Sequence, residues 1–235
     1  MNTYRGNRRG TGGRATTSGR RKRNGKKKRF FQGNPYIKWG LLILAVLTIV
    51  LAVRGVTSPG SMYVDVDASE PDIDVQLLDV NPYSRPGIES DGITGIVIHY
   101  TANPGSTAQD NRDYFNGLQY SQETSASSNF VVGLDGEIIQ CVPTWEVAYA
   151  SNDRNYDTVS IEVCHPDESG KFTDETYRSL VQLTAWLCVK FDLTADDVIR
   201  HYDVTGKNCP KYFVENEEAW TAFKENVSLA ITSEN

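Results

Sequence analysis

The stretch RHYDVTGKNCP, Arg200 to Pro210, sets a histidine, a lysine and a cysteine within eleven residues. His201 and Cys209 lie eight positions apart in a chain that holds only three histidines and four cysteines. A third residue of ligand type, His99, closes the run GIVIH, where a β-strand would end and its side chain would project past the sheet edge. Two imidazoles and a thiolate suit a hydrolytic zinc centre, which takes three protein ligands and leaves the fourth position to water. The same residues also fit a plainer reading, a buried hydrogen-bonded histidine and an inert structural cysteine. Local spacing leaves both open, so the elements that would bring His99 to His201 and Cys209 must decide.

GITGIVIHY is dense in Ile and Val and predicts a strand, with Gly95, Val97 and His99 on one face and Ile96, Ile98 and Tyr100 on the other. STAQDNRDYFNGL, residues 106 to 118, predicts a helix capped by Ser106, with Ala108, Tyr114, Phe115 and Leu118 at helical spacing. SNFVVGLDGEIIQCVP predicts a hairpin turning at Asp135-Gly136. TVSIEVCH predicts a strand with Ser160, Glu162 and Cys164 facing one way and Val159, Ile161 and Val163 the other. TDETYRSLVQLTAWLCVKF predicts an amphipathic helix capped by Thr173, with Thr176 a weak capping-box partner. DVIRHY is strand-like, and a last helix is expected from about Glu215 to Ala230. Strands and helices mixed over some 140 residues imply a single α/β domain with a central mixed β-sheet flanked by helices.

GIVIHYTA, SSNFVVGLDGEIIQ, SIEVC and RHYDVTGKNCP stand in an order and spacing that resembles the zinc N-acetylmuramoyl-L-alanine amidases. That amidase type 2 superfamily also holds the phage amidase lysozymes and the peptidoglycan recognition proteins. The resemblance covers residues 82 to 230. It implies His99, His201 and Cys209 as the ligands of Zn2+, Glu162 as the catalytic carboxylate and Lys207 as the active-site lysine. It further implies hydrolysis of the amide between N-acetylmuramic acid and L-alanine, with peptidoglycan as substrate. The chemistry is coherent: zinc activates water and polarises the carbonyl, Glu162 would carry the proton, and Lys207 would face the oxyanion.

A non-catalytic peptidoglycan-binding receptor on the same fold is the rival. Members of that kind typically lack the cysteine ligand, which this chain keeps. A zinc peptidase is remote, because no His-Glu-x-x-His helix is present. Relatives commonly carry histidine where this chain has Asn129, and an AWH motif where it has AYA at Tyr149-Ala150; the resemblance places these in the substrate groove. His165, at a strand end, is expected to be peripheral. Cys141, Cys164 and Cys188 leave room for one disulfide, with Cys188 better suited to a buried thiol.

Charge divides the chain. Residues 1–54 hold 14 of the 24 Lys and Arg and no acidic residue, leaving 10 basic side chains against all 30 acidic ones in the rest. Between the halves, WGLLILAVLTIVLAV is apolar except for Thr48 and is bracketed by Lys38 and Arg54. With its flanks it reaches about 20 residues, enough for a helix to cross a bilayer. VRGVTSPGSM offers no good small-x-small cleavage site, so the expectation is an uncleaved signal anchor rather than a cleaved signal peptide. The expected organisation is a basic cytoplasmic tail (1–36), a transmembrane helix (37–56), an extracytoplasmic segment that is a stalk or a wrap onto the domain (57–81), and the amidase domain (82–232). The Lys/Arg bias puts the N-terminus in the cytoplasm and the catalytic domain outside the cell membrane. The tail GRRKRNGKKKRF suits anionic lipid headgroups, and the acidic remainder offers no basic groove for nucleic acid.

Overall fold

The computed structural model describes residues 64–233, and the expected transmembrane helix at 37–56 lies outside them. Among the described residues no helix is long and apolar enough to cross a membrane.

Six strands build one mixed sheet: β1 (Asp74–Val75), β2 (Gly95–Ile98), β3 (Phe130–Val132), β4 (Ile138–Gln140), β5 (Thr158–Val163) and β6 (Val198–Arg200). Their spatial order is β1-β4-β3-β5-β2-β6. Only the hairpin pair β3–β4 is antiparallel; the other four pairings are parallel. Consequently β5, β2 and β6 run side by side in one direction, and residues just beyond their C-terminal ends meet at one sheet edge. Ligand sites of open α/β sheets form at that edge.

The alternation read in the sequence sorts the two faces. Ile96, Ile98, Val159, Ile161 and Val163 share one buried cluster with Leu180, Leu187 and Phe223. These last three come from helices α2 (Asp174–Phe191) and α5 (Glu217–Ser233), which pack on each other. Each fully buried side chain of this size contributes about 1.5–3 kcal/mol. Helix α1 (Ala108–Ser121) covers the other face through Ala108 and Phe115, beside Val131, Ile139 and Cys164.

Details at the helix ends differ from the sequence expectation for local reasons. Thr107, not Ser106, caps α1, in a reciprocal box with Asp110. Ser106 instead donates to Asn103 O and accepts from Asn111 Nδ2. Tyr114 faces solvent, while Asn111 takes the inward position expected of an apolar residue. Thr173 caps α2 as expected. The hairpin turns through Gly136 at φ +84, where an added Cβ would sit 2.9 Å from Glu175 O in the first turn of α2. The last helix is split: a short α4 (Lys211–Glu215) precedes α5, which starts at Glu217 rather than Glu215.

The stretch 57–81, assigned above as a stalk or a wrap, is in its described part a wrap. Val64, Ala68 and Leu78 are buried, and β1 adds a strand beside β4. Arg112 on α1 clamps it by donating to Gln76 O and Leu77 O, both at 3.1 Å. The folded unit therefore begins well before residue 82, because an extended chain can satisfy its backbone at the open edge of β4.

Candidate metal centre

His99 follows β2 directly and His201 follows β6 directly, so two adjacent parallel strands deliver both imidazoles to one edge. Their Nδ1 atoms stand 3.1 Å apart, and Cys209 Sγ is 3.9 Å from His99 Nδ1. The ligand atoms of all three lie within 4.8 Å of one another, and all three residues are buried. Of the two readings left open by spacing, the structure assembles the metal-type cluster.

The loop between His201 and Cys209 is a short helix and a return. Helix α3 (His201–Thr205) ends at Gly206, whose φ of 78 lets its N–H reach back to Tyr202 O at 2.7 Å. The chain then doubles back, and Tyr202 N donates to Cys209 O at 2.9 Å. Arg200 anchors the whole element. It is buried, pairs with Asp203 and with Glu217 of α5, donates to Phe213 O, and lies over the Trp220 ring. Position at the end of β6 is thereby tied to the core.

Glu162 extends from β5, the other neighbour of β2. Its Oε1 is 4.0 Å from His99 Nδ1, and its Oε2 is buried without a hydrogen-bond partner. Desolvation pushes its carboxyl up to about 8, against a downward pull from Lys207. Lys207 is exposed, two residues before Cys209. Its charge also depresses both histidines, secondarily to burial, which is the larger cause at each; at His99 a charge on His201 adds to it. Both imidazoles are therefore held neutral, the form that binds metals. Burial pushes the Cys209 thiol up to about 12. A metal ion bound among these groups would draw off that proton, since coordination deprotonates a thiol outright.

The residues fit a metal on independent grounds. Asn152 Oδ1 lies 3.0 Å from His201 Nε2, so the ring carries its proton there and presents a bare Nδ1. Ser151 Oγ lies 3.1 Å from His99 Nε2. Outer nitrogens anchored and inner nitrogens converging is the arrangement of metal-bound histidines. Two histidines and a cysteine supply three nitrogen and sulfur ligands, the donor types and number of a catalytic zinc site that keeps its fourth position open. The sequence reading missed Ser151 and Asn152; the available signal was an Asn that tolerates the left-handed backbone, here φ 53.

Other expectations are corrected. Asn129, expected in the groove, is buried and structural: Oδ1 accepts from Ser160 N at 2.9 Å, and Nδ2 donates to Pro143 O. Its amide satisfies backbone groups where β3 meets β5. Tyr149 and Ala150 are half-buried. His165 is peripheral to the site, as expected, and is buried against the Tyr100 ring, with Nδ1 2.7 Å from Asp167 O. It lies outside the metal-type cluster. Cys141, Cys164 and Cys188 are free buried thiols, so no pair among them is bridged.

These features place the chain in a defined class. The family described as N-acetylmuramoyl-L-alanine amidase, Amidase_2, matches residues 89–212, and the chain belongs to it. Among curated relatives, N-acetylmuramoyl-L-alanine amidase CwlL of Bacillus licheniformis is 36% identical over 160 residues, covering 63% of this chain and 44% of that protein. N-acetylmuramoyl-L-alanine amidase BlyA of Bacillus subtilis (strain 168) is 34% identical over 174 residues, covering 65% and 46%. The match thus spans less than half the length of these relatives. Among solved structures, the catalytic domain of XlyA superposes with a TM-score of 0.57 at 24% identity, covering 67% of this chain and 99% of that one. PlyL superposes with a TM-score of 0.58 at 22% identity, covering 68% and 99%. These two likenesses establish the fold.

Proposed function

We propose that this protein is a zinc-dependent peptidoglycan hydrolase that cleaves the amide between the lactyl group of N-acetylmuramic acid and L-alanine. The observation that carries this is the convergence of His99, His201 and Cys209 beside Glu162, in a chain of this amidase family. A zinc ion held by the trio would supply an activated water and polarise the scissile carbonyl. Glu162, with one oxygen free of protein partners, takes the proton of the attacking water and returns it to the departing alanine nitrogen. The Lys207 ammonium offsets the negative charge that builds on the carbonyl oxygen. Thiolate as third ligand adds charge and suits zinc's borderline softness.

Purified peptidoglycan incubated with the protein should release alanine amino groups. A chelator should abolish the release and added zinc restore it. Zinc-loaded protein that binds peptidoglycan without release would point instead to a receptor.

The Lys/Arg asymmetry of residues 1–54 supports an anchored location, with the tail in the cytoplasm beside anionic headgroups and the hydrolase outside. Protease added to intact cells should then degrade residues 60–235; their full protection would contradict this orientation.

A further inference from the structure

The outer hydrogen bonds of the two histidines rest on one short segment. It runs from Ser151 into a single 3-10 turn, Asn152–Arg154. Ser151 is 1% exposed and has its hydroxyl on His99 Nε2, whereas Asn152 is at the surface with only its amide oxygen turned onto His201 Nε2. To do this Asn152 holds a left-handed backbone, φ 53, a conformation found at strained functional positions. The segment is braced from behind. Asn155 Oδ1 accepts from the backbone N–H groups of both Ala150 and Ser151. Arg154 then pairs with Asp157 at 2.8 Å and donates to Thr94 Oγ1, fixing the turn to the base of β2 and β5.

We propose that Ser151 and Asn152 are paired positioning residues for the metal. Each accepts the outer ring proton of one histidine, so that both Nδ1 lone pairs point at one cation. The two residues are consecutive, so one turn sets both rings. Without them each ring is free to place its proton on Nδ1, and the two rings then satisfy each other across the 3.1 Å gap instead of sharing a metal. This inference rests on the zinc reading above but concerns affinity, not turnover.

The test is zinc affinity of the full chain, stripped and titrated against a chromophoric competing chelator. Melting of the metal-free protein is followed in parallel. Ser151→Ala and Asn152→Gly should each weaken zinc by about 10–100-fold, the usual effect of losing an outer partner. Glycine keeps the left-handed backbone, so the metal-free melting temperature should hold. Asn152→Asp should restore affinity to the native level or above, because a carboxylate accepts the same ring proton more strongly. Affinities within twofold of the native chain for both Ser151→Ala and Asn152→Gly would overturn the proposal. So would an aspartate variant as weak as the glycine one. Native chain that binds zinc tightly yet releases no alanine would sink the functional reading and leave this inference standing.

Discussion

Cys209→Ala should abolish tight zinc binding while leaving the metal-free fold nearly intact. The side chain is buried, 2% exposed, but its removal deletes only one sulfur, a packing loss of about 1 kcal/mol. On the proposed ligand set the metal would lose one of three protein ligands, so affinity should fall by more than the ~10–100-fold cost of an outer partner. Thermal unfolding separates the two effects. A ligand present at a thousand times its dissociation constant stabilises the folded state by about 4 kcal/mol. For a domain of this size each kcal/mol moves the midpoint by roughly 2–4 °C. Zinc should therefore raise the native midpoint by about 8–16 °C, and the Cys209→Ala midpoint by little. A variant with the full zinc-induced rise would remove Cys209 from the ligand set.

Glu162→Gln should do the opposite: keep zinc and lose turnover, by about 10²–10⁴-fold if the carboxylate is the proton carrier. Its pH behaviour sharpens the distinction. A proton acceptor works only when ionised, so native activity should rise with pH as Glu162 deprotonates, and the variant should lack that limb. In the metal-free chain burial lifts this carboxyl from 4.5 to about 8. The folded state then holds a proton that the unfolded state has released, so this group costs stability increasingly as pH rises from about 4.5 towards 8. Metal-free Glu162→Gln should accordingly melt above the metal-free native chain at pH 9 and level with it near pH 4. Equal zinc loss in the Cys209 and Glu162 variants would contradict the roles assigned to both.

What could be read from the sequence follows physical periodicity. Alternating Ile and Val placed β2 and β5 and sorted their faces, because a strand repeats every two residues. The hairpin and the cap of α2 announced themselves through Asp135-Gly136 and Thr173. Apart from the family resemblance, the trio His99, His201 and Cys209 was visible only as residue types, since their meeting depends on β2 and β6 being neighbours, a tertiary fact. Ser151 and Asn152 carry no periodic signal at all. They lie in a loop whose course is set by Asn155 and by the Arg154–Asp157 pair. Asn129 was placed in the groove by the resemblance, yet here it satisfies buried backbone groups where β3 meets β5, a role its residue type does not announce. The 64–81 segment buries Val64, Ala68 and Leu78 and completes a sheet edge beside β4, a backbone pairing that leaves no mark in residue type.

The bond assignment is tested most directly by mass spectrometry of the products formed from purified peptidoglycan by zinc-loaded native protein. The account predicts stem peptides with a free L-alanine amino terminus, together with glycan strands whose lactyl carboxylates are unsubstituted. It also predicts neither product after chelation. Cleavage within the glycan or between stem residues, or intact peptidoglycan with zinc bound, would contradict it.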